Sequence, residues 1–296
     1  MSKNLRHLSG PISYPLTNDY MFRAIVQKSN NVLRHLIAAM LHIPLEEITS
    51  CTILNPIILG ETINDKTCIL DVKVILNNSK LINIEMQMSH LENWPDRAVF
   101  NLSRMYCNID SGQTYKEILP AVHIGILKKS PFPDVNEFYS EYLMVNRKNM
   151  HVFTGKFSLY VLDLSQLDKL SEEEKQTELY DWARLFAATD WEEVSHLMEK
   201  NEAIKEAANY LYELTEDEKI KQQCEARELY YLDMSLAEKA GVDKGFKKGK
   251  AEGKAEGVER VNRLIRKLTQ DNRIDDLIKS ATDANLQNQL LQEYNL

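Results

Sequence analysis

Two short alternating segments carry side chains that could do chemistry together. Residues 70–76 place Asp71 on their polar side, and residues 82–88 place Glu85 and Gln87 on theirs. Such alternation is typical of half-buried strands. The polar cluster at residues 77–80 predicts a turn between them. Antiparallel pairing about that turn would bring Asp71 level with Glu85, to within about one residue.

Two carboxylates held this close suggest a cation site. They repel each other unless positive charge lies between them, and oxygen ligands suit a divalent cation such as Mg²⁺. The backbone carbonyl of Met86 could add a third oxygen, because its side chain points to the opposite face. Gln87 could orient a water beside such a metal without adding charge. The alternative is that Asp71 and Glu85 are simply solvated on an exposed sheet face.

Further polar side chains could extend this site. Asp19 follows a predicted helix N-cap, where a carboxylate favours the helix dipole, so its role could be structural or functional. Glu61, in a loop beside Gly60, could be an extra acid. A polar stripe at helical spacing follows the second strand and is either an ordinary solvated face or a phosphate-contacting surface. Its members are Arg97, Asn101, Arg104 and Asn108.

Other chemistries find little support in the sequence. The chain has no phosphate-binding Gly-rich loop ending in Lys-Ser or Lys-Thr and no Gly-x-Ser-x-Gly elbow, so no nucleotide cofactor and no serine hydrolysis are expected. His123 stands alone in an apolar segment and is interpreted as structural. The four cysteines form no Cys-x-x-Cys pair, which indicates reduced thiols rather than a zinc site.

The elements that would position these residues alternate between helical and strand-like patterns. Helices are predicted at residues 18–28, opened by Thr17 or Asn18, and at 32–41, opened by Asn30 or Asn31. Strands are predicted at 51–59, 67–76, 81–88, 121–127 and 157–164, and a helix at 92–111, with helical segments from about residue 170 onward. This order predicts a mixed α/β or α+β layer fold.

Charge is unevenly distributed along the 296 residues. The net charge of −8 divides into +2 for residues 1–130, −13 for 131–243 and +3 for 244–296. The part that holds the carboxylate pair is therefore not acidic overall and could approach a polyanion. No apolar run is long enough to span a membrane, and no signal peptide is evident, so the protein is expected to be cytoplasmic with no membrane partner.

The C-terminal region has a glycine at every fourth position from Gly241 to Gly257. This repeat is either a semi-flexible linker or a helix with a glycine ridge that packs closely on a partner. An apolar stripe at helical spacing follows and predicts a docking helix, so a homodimer through this region is expected. The stripe consists of Val261, Leu264, Ile265 and Leu268.

An ordered set of segments resembles the Rpn family of recombination-promoting nucleases and transposases, within the PD-(D/E)XK nuclease superfamily. The segments are residues 17–23, 70–72, 83–87, 112–115 and 120–127, together with Arg97. The resemblance implies an α/β fold with a restriction-endonuclease-like core, a mixed sheet flanked by helices, followed by a helical C-terminal region. The implied divisions are a nuclease-like domain at 1–190, an acidic helical segment at 191–240 and the repeat with its C-terminal helix at 241–296.

The resemblance also implies roles for individual residues. Asp71 and Glu85 would bind the metal, Gln87 would stand where related nucleases carry lysine, and Asp19 would be an additional acid. Arg23 stands where many relatives carry lysine. The implied function is Mg²⁺-dependent DNA cleavage, with Mn²⁺ as a substitute, in mobile-element recombination or phage defence. The alternative is a catalytically inactive, transposon-derived protein that binds DNA or another protein.

Overall fold

The computed structural model describes residues 8–54, 57–58, 68–69, 71–87, 93–107, 109, 111–132 and 134–296. The chain divides into two compact units, Met1–Leu229 and Tyr230–Leu296. Glu61 and Asn108, which the sequence singled out, lie outside the described residues. No helix among the described residues is long and apolar enough to cross a membrane.

The first unit alternates helices and strands. Its helices are α1 (Asp19–Lys28), α2 (Asn30–Leu41), α3 (Trp94–Tyr106), α4 (Glu178–Ala187), α5 (Trp191–Leu197), α6 (Glu202–Thr215) and the start of α7 (Glu218–Gln270). Its strands are β1 (Cys51–Ile53), β2 (Ile57–Ile58), β3 (Cys68–Ile69), β4 (Val72–Leu76), β5 (Lys80–Gln87), β6 (Ala121–Leu127), β7 (Tyr139–Val145) and β8 (Val152–Asp163).

Six of the described strands form one mixed sheet in the order β1-β4-β5-β6-β8-β7. The β4–β5 pair is antiparallel, whereas β6 runs parallel to β5 and β8 runs parallel to β6. Strands β2 and β3 form a separate antiparallel pair. The parallel pairs require crossovers, and α3 lies in the first of them. The predicted mixed α/β core with flanking helices, followed by a helical C-terminal region, is confirmed.

Helices cover both faces of the sheet. On one face, apolar side chains such as Val74 and Ile84 join a large core with helices α1, α2, α4 and α6. On the other face, α3 packs Trp94, Ala98 and Leu102 over β6 and β8. Strand β5 is therefore buried on both sides, so the expectation of a half-buried strand is wrong for it. Its polar side chains lie in the layer between the sheet and α3.

Helix boundaries follow from local capping. The side chain of Asn18 caps α1 by accepting hydrogen bonds from the N–H groups of Tyr20 and Met21, as predicted. Ser29, rather than Asn30 or Asn31, caps α2, because its extended backbone lets its hydroxyl accept from the Val32 N–H. The long predicted helix at 92–111 is shorter in the structure and ends at Tyr106. Strand β7 was not predicted.

The second unit is helical. It contains most of α7, with α8 (Ile274–Ser280) and α9 (Ala284–Glu293). Leu264 and Leu268 of the predicted docking stripe are buried against Leu290 and Leu291 of the same chain, whereas Ile265 stays 40% exposed. Part of the stripe is thus covered within the chain itself.

The glycine repeat lies within the continuous helix α7 and is not an irregular linker. A Cβ added at any glycine from Gly241 to Gly257 would meet nothing within 4 Å. In this structure the glycine ridge therefore faces open space, and none of the described residues makes the close packing that the alternative interpretation requires.

Candidate functional site

The β4–β5 hairpin places Asp71 opposite Glu85. Val72 pairs with Ile84 and Lys73 pairs with Asn83, so the next position along this register joins Asp71 to Glu85. One oxygen of the Asp71 carboxylate, Oδ2, accepts a hydrogen bond from the Met86 N–H at 3.3 Å. The predicted pairing of the two strands is confirmed, and it delivers the two carboxylates to neighbouring positions.

The backbone N–H and carbonyl of Met86 point toward β4, the strand that follows Asp71. Leu81 donates to the Pro120 carbonyl and Lys128 donates to the Gln87 carbonyl, so the odd-numbered residues of β5 bond toward β6. The even-numbered Met86 therefore turns its N–H and carbonyl toward β4. Its side chain is 2% exposed and packs in the large core on the opposite face from Glu85. The Met86 carbonyl thus lies on the Asp71 side of β5.

Asp71 experiences both burial and like charge. Burial is the main cause that raises the pKa of its carboxyl to about 7, and repulsion from Glu85 and then Asp19 raises it further. The Arg23 guanidinium and the hydrogen bond from Met86 act in the opposite direction. A cation that replaced this proton would offset the repulsion from Glu85 and Asp19.

Glu85 and Gln87 are buried beneath α3, each 5% exposed. The Arg97 guanidinium donates hydrogen bonds to Oε1 of Glu85 and, at 2.5 Å, to Oε1 of Gln87. Asn101, one turn along α3, is also buried. The described part of the polar stripe therefore faces the sheet, and its interpretation as an ordinary solvated face is wrong. Arg104 lies further along the helix and is partly buried.

His123 joins this buried polar layer from β6. Its side chain is fully buried, and its Nδ1 lies 3.1 Å from the side-chain nitrogen of Asn83. Its Nε2 lies 3.5 Å from Oε2 of Glu85. No local sequence pattern connects His123 with Glu85, because the β5–β6 pairing spans a long crossover. The signal was the register, in which Asn83 pairs with His123 and Glu85 pairs with Gly125.

Gly125 makes room for the aromatic cover of the site. A Cβ at Gly125 would approach Cζ2 of Trp94 to 2.2 Å, which is far inside contact distance. The Trp94 side chain is 1% exposed and lies over His123, with ring centroids 6.1 Å apart. Glycine at this position therefore lets the first turn of α3 lie directly on β6, at the strand position that pairs with Glu85.

Asp19 lies at the first position of α1 and is 1% exposed. Arg227, near the start of α7, forms an ion pair with its Oδ2 at 2.5 Å. Because Asp19 also raises the pKa of Asp71, its charge acts on the carboxylate pair. Its place at the helix start is structural, and its charge acts on the candidate site.

The donor set fits a hard divalent cation. In the described residues, no three His, Cys, Asp or Glu side chains form a group that could hold a metal ion. The protein oxygens that could hold a cation here are the carboxylates of Asp71 and Glu85 and the Met86 carbonyl. A small number of protein oxygens with remaining positions left to water is the pattern that Mg²⁺ favours. Such a cation would offset the repulsion from Glu85 that helps to raise the pKa of Asp71.

Comparison with known proteins gives one family. The chain matches the family described as PD-(D/E)XK nuclease family transposase over residues 16–240. No curated protein and no solved structure matches significantly. The matched range contains Asp19, Asp71, Glu85, Gln87 and Arg97, and it spans more than half of the sequence. The chain therefore belongs to the PD-(D/E)XK nuclease family transposases.

Proposed function

We propose that this protein is a Mg²⁺-dependent endonuclease that hydrolyses phosphodiester bonds in DNA. The observation that carries the proposal is the hairpin register that sets Asp71 opposite Glu85, with the pKa of Asp71 raised by burial and by its neighbour. In a chain of this nuclease family, two such carboxylates at a strand border are suited to hold a catalytic cation. Mn²⁺ has the same preference for oxygen ligands and is the expected substitute.

Each residue of the site would have a separate role. The carboxylates of Asp71 and Glu85 and the carbonyl of Met86 would hold the cation. Bound Mg²⁺ would supply the charge that activates a water and stabilises the leaving oxygen. The Gln87 amide, which stands where lysine would otherwise hold a positive charge, would orient the attacking water. Asp19 would act through its charge on Asp71 rather than as a ligand.

Arg97 and Arg104 would hold the DNA phosphates. Arginine matches phosphate with paired hydrogen bonds. The Arg97 side chain remains 39% exposed while it contacts Glu85, so it can reach a phosphate that approaches from solvent. In the absence of other cations it neutralises Glu85, and on DNA binding it would exchange part of that contact for the phosphate.

The test is nicking of supercoiled plasmid DNA in Mg²⁺. The Asp71→Asn variant keeps the shape and the hydrogen bond from Met86 but loses the charge, and it should lose nicking. The exposed Asp168 lies outside the site, and Asp168→Asn should cut as the wild type does. Cleavage by the wild type in EDTA, or undiminished cleavage by Asp71→Asn, would contradict the proposal.

A second candidate function is that of a silent DNA- or protein-binding member of the family. The observation that favours it is that Arg97 already supplies a positive charge to Glu85 and a hydrogen bond to Gln87, so both side chains have a partner without a metal. Calorimetric titration with Mg²⁺ and Mn²⁺ separates the two functions. Absence of binding, together with intact DNA binding, would favour the silent protein.

We also propose that the protein forms homodimers through its C-terminal helical region. Ile265, within the apolar stripe of α7, is 40% exposed, and Val258, just before the stripe, is 54% exposed. These two exposed apolar side chains could pair with a second copy of the chain. Light scattering on the full chain should give twice the mass of 34.3 kDa. Ile265→Asp should return it to the monomer mass, and an unchanged mass would contradict the proposal.

A further inference from the structure

The buried polar layer connects Glu85 to a histidine that no motif assigns. Asn83 and His123 are both 0% exposed, and Glu85 is 5% exposed. The Asn83 side-chain nitrogen lies 3.1 Å from Nδ1 of His123, and Nε2 of the same ring lies 3.5 Å from Oε2 of Glu85. The imidazole therefore stands between an amide and a carboxylate, with one ring nitrogen facing each.

The surroundings determine which ring nitrogen carries the proton. Burial lowers the pKa of His123, while the Glu85 charge opposes this and the Arg97 charge adds to it. In its neutral form the ring has a single N–H. The Asn83 amide can donate to Nδ1, whereas the Glu85 carboxylate can only accept. The proton belongs on Nε2, because the opposite tautomer would set a lone pair against the carboxylate.

The two oxygens of Glu85 are approached by different partners. Oε1 accepts from Arg97, whose side chain is 39% exposed, and Oε2 faces His123, which has no exposed surface. When Arg97 turns to a phosphate, the contact on Oε1 is weakened and the contact with the buried ring remains. At 3.5 Å the two atoms are not hydrogen-bonded, and Nε2 is a buried polar atom with no hydrogen-bond partner among the described residues. Such contacts are often long before a ligand tightens a site.

We propose that His123 is a positioning residue, whose Nε2–H, fixed by Asn83, holds the Glu85 carboxylate in the orientation that binds the catalytic cation. This inference rests on the proposed metal-dependent nuclease function. Groups that hydrogen-bond to metal-binding carboxylates hold them in place, and their loss commonly weakens metal binding by about 10- to 100-fold.

Two variants test whether the N–H of His123 matters apart from the space that its ring fills. His123→Leu fills the space but removes the N–H, and it should weaken Mn²⁺ binding by about 10-fold or more in calorimetry. His123→Gln can place an amide N–H near the position of Nε2, and it should recover most of the affinity. His151 is exposed on the turn between β7 and β8, and His151→Leu should bind Mn²⁺ as the wild type does.

The outcomes distinguish failure of the role of His123 from failure of the proposed nuclease function. A wild type that binds no Mn²⁺ would overturn the proposed nuclease function itself. A wild type that binds Mn²⁺ as tightly as a folded His123→Leu variant would overturn only the role of His123.

The tautomer provides a test that needs neither metal nor a variant. In ¹⁵N-histidine NMR spectra of the wild-type chain in EDTA, the His123 ring should show its proton on Nε2. A proton on Nδ1 would overturn the inference, even if His123→Leu fails to fold.

Discussion

Replacing Asp71 with asparagine should stabilise the metal-free protein at neutral and alkaline pH. In the folded protein, burial and the Glu85 charge raise the pKa of Asp71 from its ordinary 3.8 to about 7. The folded state then keeps this proton to higher pH than the unfolded chain does. The stability associated with the neutral carboxyl is present below about pH 4, and it is lost as the pH rises through about 7.

The size of the effect follows from the two pKa values. At about 1.4 kcal/mol per pH unit, the difference between 3.8 and about 7 sets an upper bound of about 4 kcal/mol. Asp71 is only partly buried, so water screens its charge, and roughly half of that bound is a realistic cost. Between pH 4 and pH 8, the wild type should therefore lose about 2 kcal/mol of unfolding free energy relative to Asp71→Asn.

Urea denaturation in EDTA at a series of pH values measures this difference directly. The exposed Asp168→Asn variant serves as the matched control and should track the wild type across the series. Adding Mg²⁺ should reverse the ranking, because at 100 times its dissociation constant a bound ion stabilises the wild type by about 2.7 kcal/mol, which exceeds the difference of about 2 kcal/mol. A difference between wild type and Asp71→Asn that stays constant from pH 4 to pH 8 would refute the reasoning.

Three further substitutions test other parts of the structure. Gly125→Ala drives a Cβ into the buried Trp94 indole, so it should lower the unfolding free energy by about 1–3 kcal/mol in urea denaturation. Arg97→Gln removes the guanidinium that competes for Glu85, so Mn²⁺ should bind several-fold more tightly in calorimetry, while the slope of log K for DNA against log salt should fall by about 1. Leu264→Ala empties a 2% exposed site in the C-terminal unit, which should lose about 2–5 kcal/mol and become sensitive to limited proteolysis.

The sequence alone predicts the hairpin at the centre of the site. The alternating pattern and the polar turn are local signals, and the constant sum of paired positions places Asp71 level with Glu85 to within about one residue. The observed register then sets the two opposite each other. The cap at Asn18 is equally local. These features depend on neighbours a few residues away, so the local sequence pattern predicts them.

The burial of the site by α3 and β6 depends on contacts between residues that are distant in sequence. Whether Glu85 faces water or a helix depends on where α3 packs, and its alternating pattern is the same in either case. The neighbourhood of His123 is set by the parallel β5–β6 pairing, whose register is not encoded by a turn. Strand β7 was missed because its side chains are largely exposed at the sheet edge and alternate weakly.

The central claim is that Asp71 and Glu85 share a divalent cation. The most direct measurement is the anomalous difference density of crystals soaked in Mn²⁺. One strong peak is expected within about 2.5 Å of oxygens from Asp71, Glu85 and the Met86 carbonyl, and it should be absent in Asp71→Asn crystals. Density without such a peak, with Arg97 still bound to Glu85 at saturating Mn²⁺, would contradict the claim.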